Sequence, residues 1–177
     1  MKTLLVLRHA KSSWNDTSLD DHERPLNKRG RRDGPRMGEL VLEHRLTPDV
    51  IMSSDAVRAR LTAEAVAEAA RYTGEILLDR RLYIASSRDI LAVLRTVRET
   101  KAGTVMIVGH NPGLEELVAQ LTGEEQDLPT AALGQIGLPI DRWRDLKVST
   151  CGTLLGLWQP KEPTSAATTT LRVDERG

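Results

Sequence analysis

The sequence predicts an α/β fold in three layers, αβα, with a mostly parallel central sheet between two layers of helices. Three observations lead there. Short apolar runs alternate with stretches whose apolar residues recur every three or four positions, the signature of strands connected through helices. The runs at 4–7 and 104–108 are almost purely aliphatic, as strands covered on both faces are. The large side chains are three Trp and two Tyr with no Phe in 177 residues, which leaves the core to small aliphatics suited to close helix-on-sheet packing. A chain of that length fits a single domain, read here as 1–159, and can bury a core without staples.

Each element has its own signal. Residues 4–7 form the first strand, and the polar run 10–26, rich in Asp and Glu, reads as a long loop of the kind that usually serves function. Asn27 caps a helix with Met37, Leu40, Val41 and His44 on one face, and Gly30, Gly34 and Gly38 are spaced for close approach to a sheet. Pro35 predicts a kink or a late start in it. Residues 49–52 form a second strand, after which Ser53, Ser54 or Asp55 caps a helix with Ala59, Ala63, Val66 and Ala70 inward. Residues 75–78 make a weak third strand, and Ser87 caps a helix burying Ile90, Leu91, Leu94 and Val97. Residues 104–108 make the clearest strand. The turn Gly109-His110-Asn111-Pro112-Gly113 then opens a helix with Asn111 as cap and Pro112 at its start, carrying Leu114, Leu117, Val118 and Leu121. Runs at 131–138 and 152–158 close the sheet, and 160–177 has too little to bury and reads as a disordered tail.

Composition narrows the function. Lys plus Arg equals Asp plus Glu at 25 each, so no overall field attracts nucleic acid or an acidic membrane, and any useful positive charge is local. The single Cys151 excludes an internal disulfide and CxxC chemistry. No run approaches the roughly 18 apolar residues of a membrane span. A cytoplasmic protein is expected, with no cofactor and no membrane or nucleic-acid partner; the oligomeric state is not readable.

In doubly covered sheets ligands sit beyond the carboxyl ends of the strands. Arg8 and His9 follow the first strand, 53–58 with Arg58 follow the second, and His110 follows the strand at 104–108. If those strands are neighbours, two histidines and two arginines converge. His22 and His44 read as surface or rim histidines. A zinc site from His9, His22 and His110 is disfavoured because Arg8 and Arg58 would repel the cation, so no metal is expected. Guanidinium forks suit phosphate, each contact having a gross Coulomb energy of roughly 4 kcal/mol at 4 Å and an effective dielectric near 20. Burial and nearby arginines keep a histidine unprotonated, so His9 can attack phosphorus and water can then release the phosphate.

These residues resemble a known family. "LRHAKSSWN" is similar to the R-H-G-x-S-x-W-N signature of the histidine phosphatase, or phosphoglycerate-mutase-like, superfamily, with Arg8, His9, Ser12 and Asn15 on matching positions. "SSDAVRARLTAE" resembles its S-x-x-x-R-A-x-x-T-A element and places Arg58; "VGHNP" resembles its late G-H element and places His110; "ERPLNKRG" is similar to the run leading into its first helix. The length, "RHAKS", "LYIAS" and "GHNPGLEEL" are most similar to SixA-type phosphohistidine phosphatases. The resemblance implies His9 as nucleophile, Arg8, Arg58 and His110 as the phosphate pocket, and Ser12 and Asn15 as substrate-binding residues.

The sequence departs from the family at two places. Ala10 replaces the usual Gly, and where mutases and many small-molecule phosphatases carry a glutamate acid this chain reads Leu82-Tyr83-Ile84. An imidazole leaving a phosphoramidate needs less acid assistance than an alkoxide, which favours phosphohistidine on a protein over a sugar phosphate. If an acid is used, the first loop offers Asp21, with Asp20 and Glu23 as competitors. The alternatives are a small-molecule phosphomonoesterase acting on a small phosphorylated molecule and a non-catalytic phosphate-binding domain.

Overall fold

A computed structural model of the chain describes residues 1–98 and 101–161. Six strands, β1 Lys2–Arg8, β2 Val50–Ser53, β3 Ile76–Leu78, β4 Thr104–Gly109, β5 Leu133–Leu138 and β6 Thr153–Trp158, form one sheet in the order β3-β2-β4-β1-β5-β6. β3, β2, β4 and β1 are mutually parallel. β5 then runs antiparallel to β1, and β6 antiparallel to β5. The sheet is thus mostly parallel, as expected, with two closing strands that alternate in direction.

Among the described residues four α-helices flank it: α1 Lys28–Glu43, α2 Val57–Ala69, α3 Ser87–Leu94 and α4 Gly113–Thr122. The period-2 alternation of β1 sorts its side chains between two cores. Leu5 and Leu7 pack with Met37, Val41, Ala59 and Val66 of α1 and α2. Leu4 and Val6 join Ile90, Leu94, Leu114 and Leu117 of α3 and α4. All four β1 leucine and valine side chains are fully buried, each worth about 1.5–3 kcal/mol of transfer free energy. Helices on both faces make the three layers.

Local details differ from the sequence reading where tertiary contacts compete. Asn27 does cap α1, its Oδ1 accepting Gly30 N–H at 2.9 Å, and the helix starts at once at Lys28 and runs through Pro35, so there is no late start. Its glycines meet other partners than the sheet. A Cβ on Gly38 would stand 2.6 Å from the Ala69 Cβ of α2, and one on Gly30 would overlap the Lys11 carbonyl. The stripe therefore seats α1 on α2 and on the first loop. α2 starts after Ala56 without a side-chain cap, so none of the three expected caps, Ser53, Ser54 and Asp55, stands at that position. Ser86 rather than Ser87 caps α3, in a reciprocal capping box with Asp89. Pro112, not Asn111, occupies the cap position of α4.

Among the described residues no helix is long and apolar enough to cross a membrane. Of the tail expected over 160–177, residues 162–177 lie outside the described residues.

Candidate active site

The strand order puts β2, β4 and β1 side by side, with Ser53 level with Val108 and Arg8 level with Gly109. Their carboxyl ends therefore finish together, and the segments that leave the three strands meet at one edge. A cleft of about 400 Å³ opens there, lined by Arg8, His9, Ser12, Asp21, Arg58 and His110 together with Lys11, Trp14, Arg24, Ile84, Asn111 and Thr130. The His9 and His110 rings lie 5.1 Å apart between centroids. Four residues scattered over a hundred positions of chain are gathered by topology alone.

His9 is held by its own loop. Its Nδ1 lies 2.7 Å from the Ala10 carbonyl oxygen. A carbonyl only accepts, so the neutral ring carries its proton on Nδ1 and leaves the Nε2 lone pair free. The loop is anchored in turn: Ala10 N–H donates to Thr62 Oγ1 at 2.9 Å, and Thr62 Oγ1 donates to the Arg58 carbonyl at 2.7 Å. One buried hydroxyl thus ties the segment carrying His9 to the helix turn carrying Arg58. Burial, with the charges of Arg58, Arg8 and Arg24, lowers the His9 pKa to about 4.

His110 is neutral for similar reasons. Burial, then the proximity of His9 and Arg58, lowers its pKa to about 3. Its Nε2 lies 2.8 Å from Ser54 Oγ. Ser54 Oγ already accepts from Ala56 N–H at 3.2 Å and can donate its own proton to Nε2, which leaves Nδ1 protonated as a neutral donor. Tyr83 meets the ring edge-on at 5.5 Å.

Arg8 Nη1 donates to the Leu128 carbonyl at 2.9 Å, and Glu115 steadies that segment by accepting from Leu128 N–H and Asn111 Nδ2, both at 2.8 Å. Three buried nitrogens on residues lining the cleft, Arg8 Nε, Arg58 Nε and His110 Nδ1, have no hydrogen-bond partner. Buried donors are rarely left so, because each costs about 1–3 kcal/mol. The local field is that of a site for an oxyanion.

Asp21 is drawn into this field. Its Oδ2 accepts from Tyr83 at 2.6 Å and Arg58 Nη2 at 3.0 Å, and its Oδ1 accepts from Arg24 Nε and Nη2 at 3.1 and 3.0 Å. The Tyr83 hydrogen bond first, then those from Arg24 and the charge of Arg58, hold the carboxyl well below the ordinary carboxylate range. These contacts favour the ionised carboxylate, an anion that organises the arginines, over the proton-donating form expected of Asp21 from the sequence. Asp20 is exposed, and Glu23 lies 3.1 Å from His22 Nδ1.

Ser12 belongs to the cleft, its Oγ accepting from Arg24 Nη1 at 2.6 Å. Asn15 does not: it is exposed, lines a neighbouring depression instead, and its N–H donates to Ser13 Oγ. His22 leans on Asp55 at 2.8 Å and His44 packs against Trp158, so neither enters the cleft. The sequence reading missed Arg24, Tyr83 and Thr62, and offered Ser54 only as one of three possible helix caps. Arg24 stands in the quoted run "ERPLNKRG", yet nothing local in that run says its guanidinium is buried under Trp14, 3.5 Å from the ring centroid.

Comparison with known proteins agrees with this geometry. Residues 4–83 match the model of the histidine phosphatase superfamily (branch 1). An uncharacterized chloroplastic protein of Arabidopsis thaliana is 33% identical over 140 residues, 73% of this chain and 63% of its own length, so the chain spans under two thirds of that relative. A 2,3-bisphosphoglycerate-dependent phosphoglycerate mutase of Rhodococcus opacus is 41% identical over 86 residues, 45% of this chain and 33% of the mutase. A solved structure, a candidate phosphohistidine phosphatase SixA of Agrobacterium tumefaciens, is 28% identical with a TM-score of 0.75, covering 90% of this chain and 99% of that one.

Proposed function

This chain belongs to the histidine phosphatase superfamily, and we propose that it is a metal-independent phosphatase that removes phosphate from phosphohistidine on a protein partner. The observation that carries the reading is the set of unpartnered buried nitrogens, Arg8 Nε, Arg58 Nε and His110 Nδ1, around a histidine whose Nε2 lone pair is free. Phosphoryl oxygens satisfy those nitrogens, and phosphorus then faces a nucleophile.

The reaction runs in two displacements. His9 Nε2 attacks phosphorus; the new P–N bond forms as the bond to the leaving imidazole breaks, and that ring, already protonated on its other nitrogen, takes the electron pair and leaves as neutral imidazole. Water then attacks phosphorus, the P–Nε2 bond breaks, and inorganic phosphate departs. Charge that builds on the equatorial oxygens is met by the two guanidiniums and by neutral His110, all fixed before substrate arrives. With Asp21 ionised and no carboxylate at Leu82-Tyr83-Ile84, the leaving-group side has no strong acid. That deficit suits a leaving imidazole better than an alkoxide.

The test is turnover of a phosphohistidine peptide against sugar phosphates, with trapping of the intermediate. The expected result is preference for the peptide and an acid-labile, alkali-stable phosphoenzyme that His9→Ala lacks. Hydrolysis that persists in His9→Ala removes the covalent route, and a strong preference for the sugars makes the protein a small-molecule phosphomonoesterase. Vanadate binding without turnover of any of these would leave only a phosphate-binding domain.

A further inference from the structure

The cleft carries two features that holding phosphate does not require. Trp14 and Ile84 both line it, and both expose large apolar surface, 68% and 55% of the residue. Tryptophan is on average among the more buried side chains, so an indole left open at a reaction cleft is informative. Trp14 is not loose there. Arg24 lies against its ring at 3.5 Å, and that guanidinium is itself fixed by Asp21 and by Ser12 Oγ. One face of the indole is thus backed by a buried, hydrogen-bonded cation.

Ile84 comes from a different part of the chain, just past the short 3-10 turn Arg80–Leu82 that follows β3. Its φ is +46°. A β-branched residue in the left-handed region is a true outlier, and such strain concentrates at ligand clamps and active sites. Glycine or asparagine would adopt that backbone more cheaply. Here the strained backbone presents an isoleucine side chain on the cleft.

We propose that Trp14 and Ile84 form a leaving-group subsite that packs a planar ring, such as the imidazole of phosphohistidine or an aryl group, while Arg8, Arg58 and the two histidines hold the phosphoryl group. This rests on the phosphatase reading and narrows its substrate class. Planar rings gain from stacking on an aromatic face and from apolar contact, whereas a polyol leaving group gains little from either of these two surfaces. The polar residues that share the cleft with them, Lys11, Ser12, Asp21, Asn111 and Thr130 among them, serve either kind of substrate, so discrimination falls to the two apolar side chains.

The experiment compares kcat/KM for phosphohistidine peptide and phenyl phosphate with that for glycerol phosphate, in the wild type, Trp14→Ala and Ile84→Gly. Glycine accepts φ +46°, so the second variant relieves strain and keeps the fold if loss of Trp14 does not. Each substrate is referred to its own wild-type value, which cancels intrinsic leaving-group reactivity. The expected result is a ring-over-alkyl selectivity that falls roughly 5- to 10-fold in each variant, with Trp14→Phe restoring most of it. A selectivity within twofold of wild type in either variant overturns the subsite, even where overall activity drops. A wild-type protein that hydrolyses none of the three substrates brings down the phosphatase reading, and this inference with it.

Discussion

Asp21 holds both terminal nitrogens of Arg58 at once, its main-chain oxygen accepting from Nη1 at 2.6 Å and its carboxylate from Nη2 at 3.0 Å. That contact neutralises part of the positive field that faces the cleft. An incoming dianion must share these arginines with a fixed negative charge.

Replacing that charge separates the two roles. Asp21→Asn keeps the size of the side chain and removes the repulsion, so vanadate is expected to bind about tenfold tighter; this is well below the roughly 4 kcal/mol gross Coulomb energy of a unit pair at 4 Å because solvent reaches Asp21. Turnover of phosphohistidine should change less than tenfold. A general acid lost from an alkyl phosphatase would cost 10²–10⁴ in kcat. Inhibition constants and kcat measured on the one variant tell these apart.

The pH dependence of catalysis follows from His9. Its pKa is lowered to about 4, chiefly by burial, so Nε2 is available above that value and lost below it. With the substrate's own ionisation divided out, kcat/KM is expected to stay level down to pH 5 and to fall about tenfold per unit below about 4. An exposed histidine would break near 6.5. In the complex the bound dianion favours imidazolium, so the acid limb of kcat should lie at higher pH than that of kcat/KM.

The same shift appears in stability. Unfolding returns His9 to its ordinary value of 6.5 from about 4. The unfolded chain then binds the proton first, so stability is full above pH 6.5 and drains away as pH falls toward 4. At 1.36 kcal/mol per unit this is about 3 kcal/mol for His9 alone. Asp21, also held low, adds its loss only below about pH 4. His110, lowered to about 3, drains stability over the same range, so urea midpoints taken between pH 7 and 4.5 should decline and His9→Gln should remove about half of that decline; an equal slope in the variant would place the sensitive group elsewhere.

How far the site could be read before the fold was known depended on where each residue sat relative to a strand end. Arg8, His9 and His110 follow apolar runs directly, and parallel strands of one sheet end at one edge, so their meeting with Arg58 was legible. Arg24, Tyr83 and Trp14 lie in loops or past a weak strand, where no periodicity reports direction. Their convergence depends on the path of the 10–26 loop, which is set by the Ser12–Leu26 bridge and by Gly30 against Lys11. Asp21 illustrates a different limit. Sequence supplies a carboxylate at the right place, but its protonation state comes from three neighbours that only the fold assembles. The caps moved for a similar reason: Ser54 and Asn111 are good caps by type, yet each hydrogen-bonds with a residue lining the cleft or its supporting loop instead.

Thr62 offers the sharpest test of how the cleft is held. Its hydroxyl is fully buried, accepts from Ala10 N–H and donates to the Arg58 carbonyl. Thr62→Val keeps the shape and removes both bonds, leaving the Ala10 N–H unpaired beside His9. The expected cost is about 1–3 kcal/mol of stability, read from the urea midpoint at constant m-value. Because the freed loop carries the nucleophile, kcat should fall about tenfold or more while vanadate affinity, set by the arginines, falls less. Thr62→Ser retains the hydroxyl and should recover most of the rate, which a loss caused by packing alone would not allow. Equal losses of kcat in the Val and Ser variants would show that the methyl, and not the hydrogen-bonded link from Ala10 to Arg58, positions His9.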